Sequence, residues 1–99
     1  MRIDVSGKQF EVTDAIERYA EQKCGKLPRY YDGVQSIEVV IERIRPEYFQ
    51  VELRVDVEKH DTFVSSEQDE DVYRCVDVAE NKMARQLRDF KEKLRDTKR

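Results

Sequence analysis

The chain is short of the residue types on which most catalytic and cofactor chemistry depends. Its single histidine, His60, leaves little for acid–base catalysis, and it lies in an expected turn beside Asp61. There it reads as a solvated side chain, not as a base paired with a nucleophile. Three glycines, each alone, exclude a glycine-rich phosphate loop. Two cysteines, Cys24 and Cys75, lack CxxC spacing and fall beside apolar helix positions. That pattern points to buried reduced thiols in a cytosolic protein, not to a disulfide or a metal site. No apolar run approaches the ~20 residues of a membrane span. The first residues, MRIDV, carry no signal-peptide apolar region. The acidic stretch 67–71 has neither the glycine nor the ligand spacing of a calcium loop. Carboxylates elsewhere fall on exposed strand faces, where they are expected to be solvated and not tuned as catalytic acids. The expectation is a protein without catalytic residues, cofactor or metal.

What is abundant is charge, at 41% of residues, set against 38% hydrophobic residues that are periodic instead of scattered. Ninety-nine residues suffice for one domain, expected over 1–99, with a single core. Net charge is −3, but it is unevenly spread. Residues 1–78 carry 11 Lys and Arg against 18 Asp and Glu, and residues 79–99 carry 8 against 4. The tail is therefore basic on an acidic chain, which points to an anionic partner.

That tail follows one apolar stripe. Val72, Val76, Ala79, Met83, Leu87, Phe90 and Leu94 recur every three or four residues, the spacing of one helix face. Upstream, Ile3 and Val5 alternate with polar residues as a short strand ending at Ser6 and Gly7. Thr13 and Asp14 open a helix carrying Ile16, Tyr19, Ala20, Cys24 and Leu27, which Pro28 stops at Leu27. Ile37, Val39 and Ile41 mark a second strand, broken near Pro46. Phe49, Val51, Leu53, Val55 and Val57 alternate without fault as a third. Lys59 and His60 turn into a fourth around 62–65, and the acidic 67–71 stretch leads to the long helix.

This order predicts an α+β fold, a β-α-β-β-β-α two-layer sandwich. Its four-stranded mixed sheet carries both helices on one face, in a double-stranded-RNA-binding-like topology. The other face is open and acidic, with Glu38, Glu42, Glu52, Asp56 and Glu58. It lacks the exposed aromatics that stack unpaired bases. The last helix starts at Asp69, Glu70 and Asp71, where a double-stranded RNA reader needs lysines. The helical layer is left as the nucleic-acid surface. Lys23 and Lys26 are expected to face the same solvent side as Lys82, Arg85 and Lys93, forming a groove that follows a phosphate backbone by charge and shape.

Residues 13–20 (TDAIERYA) with Lys23, Lys26, Leu27 and the 30–32 YYD, then 71–77 (DVYRCVD), then 82–87 (KMARQL) and 91–94 (KEKL), resemble one family. It is that of the ribosome hibernation-promoting factors, also called ribosome-associated inhibitor, protein Y or sigma modulation protein. The resemblance covers nearly the whole chain. It implies binding to the small ribosomal subunit between head and body, across the path of messenger and transfer RNA, and repression of translation in stress or stationary phase. By position it gives rRNA-contacting roles to Lys23, Lys26, Arg29, Lys82, Arg85, Arg88, Lys91 and Lys93. It implies a cytoplasmic monomer whose partner is small-subunit rRNA, with 70S or dimerised ribosomes as further targets and no membrane. Asp89 departs from the pattern, standing where relatives often carry a base. The resemblance is to the short class of the family, which implies no C-terminal dimerisation domain. The rival reading is a protein-binding module of the same fold that acts through its acidic sheet.

Overall fold

Strict apolar alternation needs a partner layer, and the long helix supplies it. The computed structural model describes residues 1–97. In chain order it runs β1 (Arg2–Lys8), α1 (Asp14–Cys24), β2 (Val34–Arg45), β3 (Tyr48–Val57), β4 (Phe63–Asp69) and α2 (Val72–Thr97). A 3-10 turn, Leu27–Arg29, lies between α1 and β2. The sheet order is β1-β2-β3-β4, with β1 parallel to β2 and the other pairs antiparallel. This is the expected mixed-sheet sandwich. Lys98 and Arg99, counted in the basic tail, lie outside the described residues.

Register puts Ile37 opposite Val55, Val39 opposite Leu53 and Ile41 opposite Val51, and all six side chains are buried. Glu38, Glu52, Arg54 and Asp56 point to the other, open side of the sheet, with Glu52 half-buried. Val76, Met83 and Leu87 of α2 close the core over β3 and β4. Ser65 also pins this helix, its hydroxyl donating to the Ala79 carbonyl at 2.8 Å.

Caps fix where the helices begin. Thr13 Oγ1 accepts from the Ile16 amide at 3.2 Å, and Asp71 accepts from the Tyr73 amide at 2.9 Å. Each satisfies an otherwise orphan donor of a first turn.

Two boundaries differ from expectation. Helix α1 ends at Cys24, not Leu27: the Gly25 amide still reaches the Glu21 carbonyl, but Pro28 has no N–H to donate onward. The chain tightens into the 3-10 turn instead, which keeps Leu27 in the core. The acidic stretch is not all linker. Glu67 to Asp69 extend β4, paired with Phe49 to Val51 of β3, because the longer strand offers a ladder to join.

Candidate nucleic-acid interface

The two helices run in parallel over a shared apolar core, and their solvent-facing seam carries charge. Tyr19 of α1 meets Tyr73 and Asp77 near the start of α2, while Tyr30, just past α1, meets Arg88 further along. The cleft along their seam carries the carboxyls of Asp77 and Glu80 at one end and, past the end of α1, opens on a basic mouth at the other.

At the first end, the Tyr19 hydroxyl donates to Asp77 Oδ1 at 2.6 Å, and its ring lies edge-on to Tyr73 with centroids 4.9 Å apart. The bond to a carboxylate holds the phenol proton, lifting the Tyr19 pKa to about 12. Lys23 Nζ sits 3.5 Å from the same Asp77 oxygen and 5.8 Å from the Tyr19 ring centroid. One turn on, Glu80 is only 9% exposed. Burial raises its pKa and Asp77 adds to the rise, while Lys23, Lys26 and Arg88 work against it. A carboxyl whose pKa is raised by folding favours the native state below its unfolded value, ~4.3. That contribution is lost as pH climbs through the folded value. At pH 7 an ionised Glu80 therefore opposes folding. Glu80→Gln is expected to melt at a higher temperature than wild type at pH 7. The advantage shrinks as pH is lowered and Glu80 takes up its proton, which paired thermal melts across pH will show.

At the other end, Arg29, Arg88, Lys91 and Arg95 surround a concavity of about 270 Å³ with Tyr30 and one acid, Glu92. The Arg88 guanidinium lies 5.4 Å from the Tyr30 ring centroid. An aromatic and a planar cation so placed can meet both a base and its phosphate. Arg95 joins the residues to which the resemblance gives rRNA-contacting roles. Its signal was there: it follows Arg88 by seven residues and Lys91 by four, the spacing of one helix flank.

The expected grouping of Lys82 and Lys93 with the first helix does not hold. Lys82 reaches the other way, donating to the Ser66 carbonyl at 2.9 Å and to Glu67 Oε1 at 3.2 Å, both on β4. Lys93 lines a hollow with His60, Phe63, Gln86, Asp89 and Phe90 on that same β4 flank. Arg85 follows Met83 by two residues, roughly 200° round the helix, and projects from its back. Lys23, Lys26, Arg29, Arg88 and Lys91 are the ones brought to the cleft. Asp89, on the far flank, does not oppose them.

His60 is exposed in the bend between β3 and β4, as expected, but its ring is not idle. It stacks on Phe63 with ring centroids 4.4 Å apart and meets Phe90 edge-on at 4.5 Å. Cys24 and Cys75 are buried free thiols, and burial lifts their pKa values to about 12 and about 11. So held, they are poor nucleophiles and poor metal ligands.

Comparison with known proteins gives this surface a context. Residues 3–95 match the family described as sigma 54 modulation protein / S30EA ribosomal protein. The chain belongs to that family. It is 33% identical over 95 residues to the ribosome hibernation promoting factor of Azotobacter vinelandii, spanning 94% of this chain and 85% of that protein. It is 30% identical over 96 residues to the ribosome hibernation promotion factor of Staphylococcus aureus (strain COL), covering 95% of this chain. It spans 50% of that longer relative.

Among solved structures, the Thermus thermophilus Protein Y N-terminal domain superposes with a TM-score of 0.79 at 30% identity, covering 91% of this chain and 99% of that one. A ribosomal subunit interface protein from Coxiella burnetii gives a TM-score of 0.83 at 22% identity, over 93% of this chain and 99% of that one. That second likeness is one of fold alone. In this S30EA-family chain the matched stretch takes in all eight basic residues singled out from the sequence, and Arg95 with them.

Proposed function

We propose that the chain is a cytoplasmic ribosome hibernation factor that docks on small-subunit rRNA through the cleft between α1 and α2. There it occupies the path of messenger and transfer RNA and represses translation in stress or stationary phase. The observation that carries this reading is the convergence of Arg29, Arg88, Lys91 and Arg95 around Tyr30, with Lys26 sharing the Glu80 carboxyl with Arg88, on a chain that is otherwise acidic. Lys23 extends the row toward Tyr19, and Arg85 adds charge from the back of the helix. Lys82 and Lys93 serve the β4 flank and contribute by long-range attraction only. The names of the relatives supply the partner, and the basic mouth supplies a way to hold it by backbone charge without reading bases.

Sedimentation with purified ribosomes tests this. Each cation that meets a phosphate releases counterions, so five or so contacts give log K against log salt a slope of roughly −4. The protein is expected to pellet with 30S or 70S particles at low salt and to leave them at high salt. In a translation assay, inhibition is expected to saturate near one protein per ribosome. Full inhibition at a small fraction of the ribosome concentration would mean turnover, and would sink the reading.

A further inference from the structure

The Asp77 carboxylate stands where a cleft built only to attract anions would not have one. It is fixed, since the Tyr19 hydroxyl holds it at 2.6 Å and the Tyr73 ring braces Tyr19. Hydrogen bonds to a charged acceptor are about twice as strong as neutral ones. What it holds in turn is looser. Lys23 Nζ is 3.5 Å away, and both side chains are about 40% exposed. A pair so wet contributes little to stability and exchanges readily. Glu80, one turn on and nearly buried, adds a second negative charge beneath Lys23, Lys26 and Arg88. The basic mouth near Tyr30, by contrast, has Glu92 as its acid. An anion arriving at the mouth is attracted at once; one moving on toward Tyr19 must displace a carboxylate.

We propose that Asp77 is a specificity-determining residue of the cleft: its carboxylate occupies the place of a phosphate against Lys23, so that flexible RNA is refused there while structured RNA is admitted. The proposal rests on the reading of the cleft as an rRNA-binding surface. The reason is entropic. A flexible strand must order each further nucleotide to gain one contact, and displacing Asp77 removes most of that gain. A folded RNA presents its phosphates already aligned, so contacts at the mouth carry the next phosphate onto Lys23 at small further cost. Asp77 thus penalises the wrong ligand more than the right one.

Asp77→Asn removes the charge and keeps an oxygen to accept from Tyr19. Wild type and D77N are compared for binding to ribosomes and to poly(U) across a salt series, with thermal melts confirming the fold. For poly(U), the variant is expected to bind roughly three- to fivefold tighter, the scale of one exposed ion pair. Its salt slope is expected to steepen by about 0.7, for one more phosphate neutralised on a single strand. Ribosome affinity is expected to change less, so the preference for ribosomes narrows. Equal poly(U) affinity and slope in the two proteins overturns the proposal, and so does an equal gain for both RNAs. Tyr19→Phe keeps the charge but frees the carboxylate. Discrimination in Y19F is expected to fall between wild type and D77N, since the carboxylate keeps its charge and loses only the bond that fixes it. If wild type itself binds neither ribosomes nor poly(U), the parent reading falls; if it binds ribosomes and D77N matches it on both RNAs, only the role of Asp77 falls.

Discussion

Lys26, Arg88 and Lys91 replaced together by Glu are expected to leave a folded protein that no longer sediments with ribosomes at moderate salt. All three are exposed, so no core contact is lost. Each reversal removes a phosphate contact and adds a repulsion, and the three together should weaken binding by at least about a hundredfold near 0.1 M salt. The informative companion is Glu38, Glu52 and Asp56 replaced by Lys on the open sheet face. That triple changes the net charge in the opposite direction on a surface that does not meet RNA in this reading. Its binding is expected to match wild type or to be slightly tighter, through long-range attraction. A protein-binding module working through the acidic sheet would give the reverse ranking. Co-sedimentation of both variants in one salt series decides it, and wild-type binding by the cleft triple would end the cleft model.

Leu87→Ala carries the largest expected effect on stability. Leu87 is fully buried on α2, in the same core as Val51, Leu53 and Val55 of β3. Truncation leaves a cavity that a close-packed interior only partly fills, at a cost of about 2–5 kcal/mol. For a domain of this size each kcal/mol shifts the thermal midpoint by about 4–8 °C. Urea titration should show a lower midpoint with the same slope. A loss below about 0.5 kcal/mol, the range of surface changes, would mean that this stripe does not face the sheet.

The stripe was readable because only its own spacing was needed. Val72, Val76, Ala79, Met83 and Leu87 repeat on one face, and β3 alternates without a break, so helix, strand and their contact follow from period alone. The burial of Glu80 and Ala84 was not readable. They flank the stripe, and their cover depends on where other elements come to lie. The same holds for the cleft. That Lys26 and Arg88 share an anionic neighbour, or that Tyr19 reaches Asp77 across 58 residues, is a property of two helices in register. Lys82 shows the cost of reading charge from a helical wheel. Its angle was clear, but the β4 carbonyl and carboxylate that claim it come from residues 66 and 67. Cation type and helix face were legible; which neighbour each cation answers to was not.

The bonds that Lys82 and Gln86 make to β4 have a meaning beyond α2. β4 is an outer strand, and its outward carbonyls at Ser66 and Val64 accept from Lys82 Nζ and Gln86 Nε2, each at 2.9 Å. An uncovered outer strand is a template on which a second chain can add its own strand, and so a route to aggregation. Here two side chains from the neighbouring helix occupy the acceptors such a strand would need, and one brings a charge with it. The molecule is thereby steered away from sheet-to-sheet growth on that side. Where copies crowd together, contact through β4 must first break two hydrogen bonds and strand a lysine, so self-association by strand addition is disfavoured before any other surface is considered.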